Sequence, residues 1–414
     1  MQAVTIIFLV ALSLAFLLQF WLDQRQIQHV RSHRPEVPAD FADRISLEEH
    51  QKAADYTIDR TRFGLVDQIA GVVILLLWTL AGGLELLDQA WRTMQLGEIQ
   101  TGVAVMLSFM LISSLIDLPF AAYRTFVIEQ RYGFNKMTMG LFISDLFKQS
   151  LLTMLIGIPL LWLVLWLMGA MGELWWIYVW AVWIGFVLLM MWAYPAFIAP
   201  FFNKFSPLEN QDLRERIEQL LNRCGFTSNG IFIMDGSRRS SHGNAYFTGL
   251  GRNKRIVFFD TLIESLEPEE TEAVLAHELG HFKRKHIQKR IISMALISLT
   301  GLAILGWLMQ LESFFTGLGV SHSSQYIGLL LFMMVSPLFS IYLQPLFAYF
   351  SRKHEFEADA YAAQQSDANK LIQALVKLYR ENASTLTPDP LYSAFHDSHP
   401  PAPVRIAHLN AQHS

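Results

Sequence analysis

Cysteine is almost absent from this sequence, because Cys224 is the only one among its 414 residues. A single thiol cannot form an intramolecular disulfide, so any metal site is expected to use nitrogen and oxygen ligands. Charged side chains are also scarce, at 16% of the residues with a net charge of −4. This balance provides no basic surface for nucleic acid, and we expect no nucleic-acid partner.

Apolar side chains take the place of the missing charge. They form 52% of the chain, with 30 Phe and 11 Trp, and the mean hydropathy is +0.30. This composition is typical of a protein embedded in a lipid bilayer. Seven apolar runs are long enough to span one, at residues 3–22, 65–87, 102–123, 149–171, 174–200, 288–310 and 325–350. The first has no preceding Lys or Arg and no small-residue cleavage site, so we expect it to be retained as the first span.

The charge of the connecting segments alternates along the chain. The basic segments are 23–63, 124–148 and 203–286, and the first of these contains seven Lys or Arg. The other three connections, at 88–101, 172–173 and 311–324, contain a single Lys or Arg between them, Arg92. Because basic loops stay on the cytoplasmic side, this alternation predicts an external N-terminus and a cytoplasmic C-terminus.

Residues 277–281 form the motif His-Glu-x-x-His, around which the rest of the chain is organised. Positions i and i+4 share a helix face, so His277 and His281 can direct two imidazoles at one zinc ion. Glu278 is then placed to act as general base on a water at that ion. A proline and two acids at 268–270 predict a helix that begins before the motif. Chance produces such a motif in roughly two chains in a hundred of this composition, so independent support is needed.

A second acidic motif follows the last apolar run. Glu355 and Asp359 are four residues apart on a predicted helix, so they share a face. A catalytic zinc ion with two histidines needs a third protein ligand, and Glu355 is the candidate. Asp359 is expected to accept a hydrogen bond from the outer nitrogen of a zinc-binding histidine. Without the His-Glu-x-x-His motif, the pair would be interpreted as a solvated helix face.

The polar region before the motif predicts a small mixed sheet. A helix is expected at Leu208–Cys224, and strands at Ile231–Met234, Asn244–Phe247 and Arg255–Phe259. A sheet beside the motif helix can offer an edge strand to an extended peptide, with Asn244, Ala245, Tyr246 and Phe247 as the binding residues. The alternative is a sheet that only supports the helix.

Together these motifs resemble the integral-membrane CAAX prenyl endopeptidases, the lamin-processing and a-factor-converting zinc proteases. The resemblance covers nearly the whole chain. Beyond the two motifs, it rests on the segments 118–120, 126–135, 199–205, 240–249 and 398–401. Several long matches in the expected order exclude chance as their explanation.

The resemblance implies a mainly α fold, with seven membrane helices around a water-filled chamber and a small α+β, gluzincin-like zinc domain. It implies one zinc ion held by His277, His281 and Glu355, with Glu278 as the base. It also places His399 and Arg405 at the site, and residues 244–247 against the backbone of a peptide or protein substrate. The expected divisions are membrane helices at 1–202, a protease segment at 203–286, two further membrane helices at 287–350 and a C-terminal segment at 351–414.

The cellular location, the native substrate and an alternative function stay open at this point. The chain ends Ala411-Gln412-His413-Ser414 without a lysine-rich retrieval tail, so we expect a bacterial inner-membrane protein whose substrate is a CAAX-type prenylated peptide or another membrane-associated polypeptide. The alternative function is a multispan transporter or receptor with a structural zinc site. Structural sites normally have four protein ligands, and three are identifiable here, which favours the enzyme. His286 is expected at the membrane interface and is not assigned to zinc.

Overall fold

The computed structural model describes residues 2–228, 230–248 and 255–411. Gly249 of the resemblance segment and the C-terminal residues 412–414 lie outside these ranges. Within them, seven helical segments are long and apolar enough to cross a membrane, which confirms the predicted number. They are Ala3–His33, Leu47–Trp78, Glu98–Glu129, Met139–Ala170, Gly172–Phe202, His286–Leu308 and Gln325–Gln365.

The first five segments are longer than the predicted apolar runs, because their helices continue into polar sequence. The helices are α1 (Ala3–His33), α2 (Leu47–Trp78), α3 (Gly83–Arg92), α4 (Glu98–Tyr123), α5 (Met139–Ala170), α6 (Trp175–Ala193) and α7 (Ala199–Phe202). Helix α2 begins at a capping box formed by Ser46 and Glu49, so the end of the basic segment 23–63 and the second span belong to one helix.

The predicted end of the second span at residue 87 is wrong. Helix α2 stops at Trp78, and Gly82 has a φ of +80°, a backbone conformation that suits glycine and interrupts a helix. Helix α3 then carries Glu85 and Asp88 as a separate element. The apolar run is therefore divided between two helices.

The segment after α7 forms the predicted α/β unit. Its elements are β1 (Phe205–Pro207), α8 (Gln211–Arg223), β2 (Ile231–Met234), β3 (Ala245–Thr248), β4 (Arg255–Phe259), α9 (Asp260–Ser265) and α10 (Pro268–Lys283). The sheet order is β1-β2-β4-β3, with a parallel β2–β4 pair between two antiparallel pairs. A mixed sheet was expected, but strand β1 was not.

The last spans and the C-terminal region are helical. Their elements are α11 (His286–Leu308), α12 (Glu312–Thr316), α13 (Gln325–Val335), α14 (Pro337–Ser340), α15 (Gln344–Gln365), α16 (Ala368–Glu381), α17 (Pro390–His396) and α18 (Ala402–Ala411). Helices α13 to α15 form one interrupted helical run, so Glu355 lies on the continuation of the last span. This run crosses the predicted boundary at residue 350, and the domain divisions stay a prediction.

One apolar core joins the sheet to the helices that carry both motifs. Phe258 of β4, Leu279 of α10, Ala362 of α15, Leu375 of α16 and Leu409 of α18 are all buried in it. Burial of this kind contributes about 1.5 to 3 kcal/mol for each large apolar side chain. The core therefore fixes α10 against α15 and α18, which sets the positions of the polar side chains between them.

Candidate metal centre

The His-Glu-x-x-His motif lies on helix α10, whose N-terminus is well capped. Glu267 and Glu270 form a capping box at its N-terminus, and Pro268 occupies the first turn. Leu275 and Leu279 are buried in the core. The motif lies two turns inside the helix, where backbone hydrogen bonds hold both histidines in register.

Gly280 explains how α10 and α15 come close enough to share a site. A Cβ atom added at this glycine would lie 2.9 Å from the Cα of Ala358 and 3.0 Å from its carbonyl oxygen. The obstacle is backbone, which cannot swing aside as a side chain can. The absence of a side chain at Gly280 therefore permits direct packing of the two helices that carry the two motifs.

Three potential ligand atoms converge between these helices. The Nε2 atoms of His277 and His281 are 3.2 Å apart. Glu355 places Oε2 3.4 Å from Nε2 of His277, and Oε1 3.2 Å from Nε2 of His281. A tetrahedral zinc site with bonds of about 2.0 to 2.1 Å separates neighbouring ligand atoms by about 3.3 Å. The cluster has the dimensions of one face of such a site, and it is a possible metal site on proximity and donor type.

The electrostatics of the cluster also fit a bound cation. Oε2 of Glu355 is buried and makes no hydrogen bond in the described structure, and Nη1 of Arg405 is 3.7 Å away, so this oxygen has a lone pair available for a bound cation. Burial lowers the pKa of His277, but its contacts with Asp359 and Glu355 outweigh burial and raise that pKa to about 9. The site thus favours positive charge where a metal ion would bind.

Asp359 and Arg405 lie behind His277. Nδ1 of His277 is 2.8 Å from Oδ1 of Asp359, a distance that suits the predicted hydrogen bond to the outer imidazole nitrogen. Nε of Arg405 donates to Oδ2 of the same carboxylate at 2.8 Å. Asp359 is fully buried and Arg405 nearly so. Arg405 is therefore brought to the site as a buried partner of Asp359, and its side chain contacts the metal cluster from behind.

Glu278 and His399 are neighbours of the ligand residues, since Glu278 follows His277 in the chain and His399 contacts Glu355. Glu278 is half-buried, and in the described part of the chain its carboxylate forms no hydrogen bond or ion pair. Nε2 of His399 is 3.5 Å from Oε1 of Glu355, although 65% of the His399 side chain is exposed. An uncommitted carboxylate and an exposed imidazole beside the ligands are available to contact a substrate.

The predicted substrate strand lies at an edge of the sheet. Among the strands in the described residues, β3 pairs only with β4, and the backbone N–H of Phe259 donates to the carbonyl oxygen of Asn244. Because hydrogen-bonded pairs alternate along antiparallel strands, the backbone groups of Ala245 and Phe247 face the open edge. The exposed Asn244 accepts the N–H of Ala245 through its own side-chain oxygen at 2.8 Å. Its amide N–H₂ remains as a donor.

Two polar residues near the metal cluster were missed by the sequence analysis. His286 is buried, because the turn after α10 directs its ring to His281, with the two Nδ1 atoms 3.0 Å apart. Glu357 contacts Nε2 of His286 at 3.0 Å. The spacing of five residues between His281 and His286 was visible, but the basic run at 283–285 favoured an interfacial interpretation.

Comparison with family models divides the chain at the end of its fifth span. Residues 26–204 match a model described as the CAAX prenyl protease N-terminal region with five membrane helices. Residues 207–413 match the model of peptidase family M48. The second match includes both motifs and the C-terminal helix with Arg405.

Relatives and a solved structure match almost the entire chain. The CAAX prenyl protease 1 homolog of Arabidopsis thaliana is 36% identical over 412 residues, covering 96% of this chain and 95% of the relative. The CAAX prenyl protease 1 of Saccharomyces cerevisiae is 33% identical, with 95% and 92% covered. The crystal structure of S. mikatae Ste24p aligns with a TM-score of 0.91 and 32% identity, covering 99% of each chain.

Proposed function

The chain belongs to peptidase family M48 and is an integral-membrane zinc metalloendopeptidase, and from that premise we propose that His277, His281 and Glu355 hold one zinc ion per chain. The observation that carries the proposal is the set of ligand-atom separations, 3.2 to 3.4 Å, around a buried carboxylate oxygen that makes no hydrogen bond in the described structure. Zinc content and peptide cleavage, measured on the same purified protein, test it.

The catalytic roles follow from the accessible side of the cluster. A zinc ion bound there supplies a Lewis acid that makes a water molecule more acidic and polarises a carbonyl group. Glu278 accepts a proton from the attacking water and then donates one to the leaving amine. His399 donates a hydrogen bond to the substrate oxygen that gains negative charge. Arg405 and Asp359 hold His277 in the orientation that presents Nε2.

Substrate binding is assigned to the open edge of β3 and to a cavity lined in part by His399. An extended peptide added to that edge would pair with the outward carbonyl group of Ala245 and the outward backbone groups of Phe247, regardless of its sequence, because the N–H of Ala245 already donates to Asn244. A cavity of about 600 Å³ opens beside His399, between α1, α2 and the C-terminal helices. Its size lies within the range of ligand-binding cavities. The substrate is thus expected to lie between the sheet edge and the membrane helices.

Replacing Asn244 with alanine is expected to slow the cleavage of unrelated peptides while zinc occupancy is unchanged. The change removes the amide donor at the sheet edge, and one neutral hydrogen bond corresponds to about a 3- to 10-fold loss in kcat/KM. The measurement is kcat/KM for several peptides of different sequence, together with zinc content.

Asn222→Ala is the matched control, because Asn222 is an exposed asparagine of α8 in the same α/β unit. It should leave both quantities unchanged. A second test places proline in the peptide at the residue paired with Phe247, which removes an N–H and should block cleavage. If Asn244→Ala and the proline peptide both behave like their parents, the edge of β3 is not the binding strand.

We propose the membrane orientation that loop charge predicts, with the N-terminus outside and the zinc cluster at the cytoplasmic side. Contacts between distant loops support it. Ser321 donates to Glu85 at 2.6 Å, and Tyr326 donates to Asp88 at 2.6 Å. Thr5 donates to the carbonyl of Gly317 at 2.8 Å. The chain start and two of the loops with little basic charge therefore meet at one end of the helices.

Reporter fusions are expected to separate the two sides. Fusions after about residue 95 or about residue 318 should report an external location, and fusions after about residue 140 or at the C-terminus a cytoplasmic one. The measurement is the activity of a reporter pair, one member active only outside and the other only inside. An external C-terminal reporter would contradict the orientation. The bacterial inner-membrane location stays a prediction that neither the fold nor the comparisons address.

The substrate class is proposed as membrane-associated polypeptides cut near the bilayer, including prenylated C-terminal segments. The names of the relatives favour the prenylated class. The position of Glu355 on the continuation of the last span supports a site close to the membrane surface. A lipid anchor would hold the peptide of a prenylated substrate at the membrane surface, close to the site. A substrate of membrane-protein quality control would need only an unfolded segment that reaches the site.

A further inference from the structure

The turn between α10 and α11 returns a third imidazole to the metal cluster. Helix α10 ends at Lys283, Lys285 has a φ of +59°, and His286 is the first residue of α11. This short reversal brings Nδ1 of His286 to 3.0 Å from Nδ1 of His281. A lysine rarely adopts this left-handed backbone conformation, so contacts elsewhere in the fold must stabilise the turn.

His286 is itself held on its far side. Its Nε2 lies 3.0 Å from Oε2 of Glu357, and Lys289 lies 3.7 Å from the same oxygen. The ring of His354 stacks on it, with the ring centroids 4.0 Å apart. His286 is buried, although it belongs to the first turn of a membrane helix. Its orientation is therefore fixed by two polar contacts and one stacked ring.

Only one set of neutral tautomers satisfies these contacts if His281 binds a metal ion through Nε2. The proton of His281 must then lie on Nδ1, which donates to Nδ1 of His286. His286 must accept there, so its own proton lies on Nε2 and is donated to Glu357. Each ring nitrogen of His281 and His286 is then either a hydrogen-bond donor, a hydrogen-bond acceptor or a metal ligand. The lone pair on Nε2 of His281 is the one left for the metal ion.

We propose that His286, anchored by Glu357, is the positioning residue that fixes His281 as a metal ligand, as Asp359 does for His277. This inference rests on the proposed metal site. The two histidines differ in exposure, since 22% of the His281 side chain is accessible against 9% for His277. The more exposed ligand, which can rotate more freely, is the one held through His286. The hydrogen bonds from His281 to His286 and on to Glu357 also connect the metal cluster to the first turn of a membrane helix.

Zinc affinity of His286 variants tests the proposal. H286F keeps an aromatic ring for stacking but loses the acceptor, and its zinc dissociation constant is expected to rise about 10- to 100-fold. H286N places an amide oxygen near the position of Nδ1 and should retain more of the affinity than H286F. E357Q weakens the anchor and should raise the constant by less than H286F. The measurement is competition with a chelator of known zinc affinity.

A nitrogen-15 spectrum of the zinc-loaded protein provides a readout that a packing role would not change. The parent should show His281 protonated on Nδ1, and H286F should lose the hydrogen-bonded Nδ1–H signal. H322F, at an exposed histidine in the 311–324 loop, is the matched control and should change neither the spectrum nor the affinity. If H286F does not fold, H286N and E357Q still give the predicted order of affinities.

The outcomes separate this inference from the proposed function. If H286F binds zinc as tightly as the parent, or if H286N and H286F lose affinity equally, His286 has only a packing role and the proposal is overturned. If the parent binds zinc and E278Q alone loses cleavage while the His286 variants are unchanged, the metal site stands without the proposal. A parent protein that binds no zinc would overturn both.

Discussion

Replacing Glu278 with glutamine is expected to leave zinc bound while cleavage falls by about 100- to 10,000-fold, the usual contribution of a general base. The amide has nearly the same shape as the carboxylate, but it cannot accept the proton of the attacking water. Zinc should remain because Glu278 is not a member of the possible metal cluster, which consists of His277, His281 and Glu355. The measurements are kcat for peptide cleavage and the zinc content of the protein, determined by elemental mass spectrometry.

The control for Glu278→Gln is Glu264→Gln, which removes an exposed carboxylate from α9 in the same unit. It should leave kcat and zinc content unchanged. Cleavage by the Glu278 variant at the parent rate would contradict the assignment of the base. Loss of zinc from that variant would instead indicate that Glu278 is a ligand.

Replacing His277, His281 or Glu355 by alanine is expected to remove both zinc and activity. Each change leaves two of the three ligand atoms, and a site with two protein ligands has lost the coordination of a catalytic zinc centre. The loss of activity should therefore be at least as large as for Glu278→Gln. Zinc content and peptide cleavage, measured at several concentrations of added zinc, check this expectation.

Added zinc distinguishes the two kinds of variant. Excess zinc should partly restore cleavage in a ligand variant, because binding is weakened by mass action. It should restore nothing in Glu278→Gln, whose site is already occupied. His322→Ala, at an exposed histidine outside the cluster, should match the parent at every zinc concentration. A ligand variant that keeps full zinc occupancy would show that the cluster is assigned wrongly.

The sequence predicted those features that depend on local pattern. Seven apolar runs predicted the seven membrane segments, and short apolar runs between turns predicted a mixed sheet and three of its four strands. The helix of the His-Glu-x-x-His motif was predictable because Pro268 and the acidic first turn are local signals. The end of α2 at Trp78 was missed because the apolar run continues past Gly82, and hydropathy does not detect a break in backbone direction.

Contacts between distant residues could be predicted only in part. The spacing of Glu355 and Asp359 indicated a shared helix face, but the close packing that brings this face to α10 depends on Gly280. Arg405 is 128 residues from His277, and no local pattern shows that it is a buried partner of Asp359. The contact of His286 with His281 was not predicted, because it depends on the turn at Lys285, which is not evident from residue type.

The alternative of a transporter or receptor with a structural zinc site is not favoured. The chain belongs to a peptidase family, and among the described residues the possible metal cluster has three members, His277, His281 and Glu355. A structural site normally has four protein ligands and no general base. The two hypotheses still differ in a simple observable, because only the enzyme couples zinc to cleavage.

The most direct measurement uses the purified, zinc-loaded protein with matched prenylated and unprenylated peptides, and identifies the cut sites by mass spectrometry. We predict cleavage of an internal peptide bond that stops when a chelator removes zinc and returns when zinc is restored. A faster reaction of the prenylated peptide would support the prenylated class, and equal rates would favour a general membrane-associated substrate. Bound zinc without cleavage of either peptide, or cleavage that continues after zinc removal, would contradict the central claim of a membrane zinc endopeptidase.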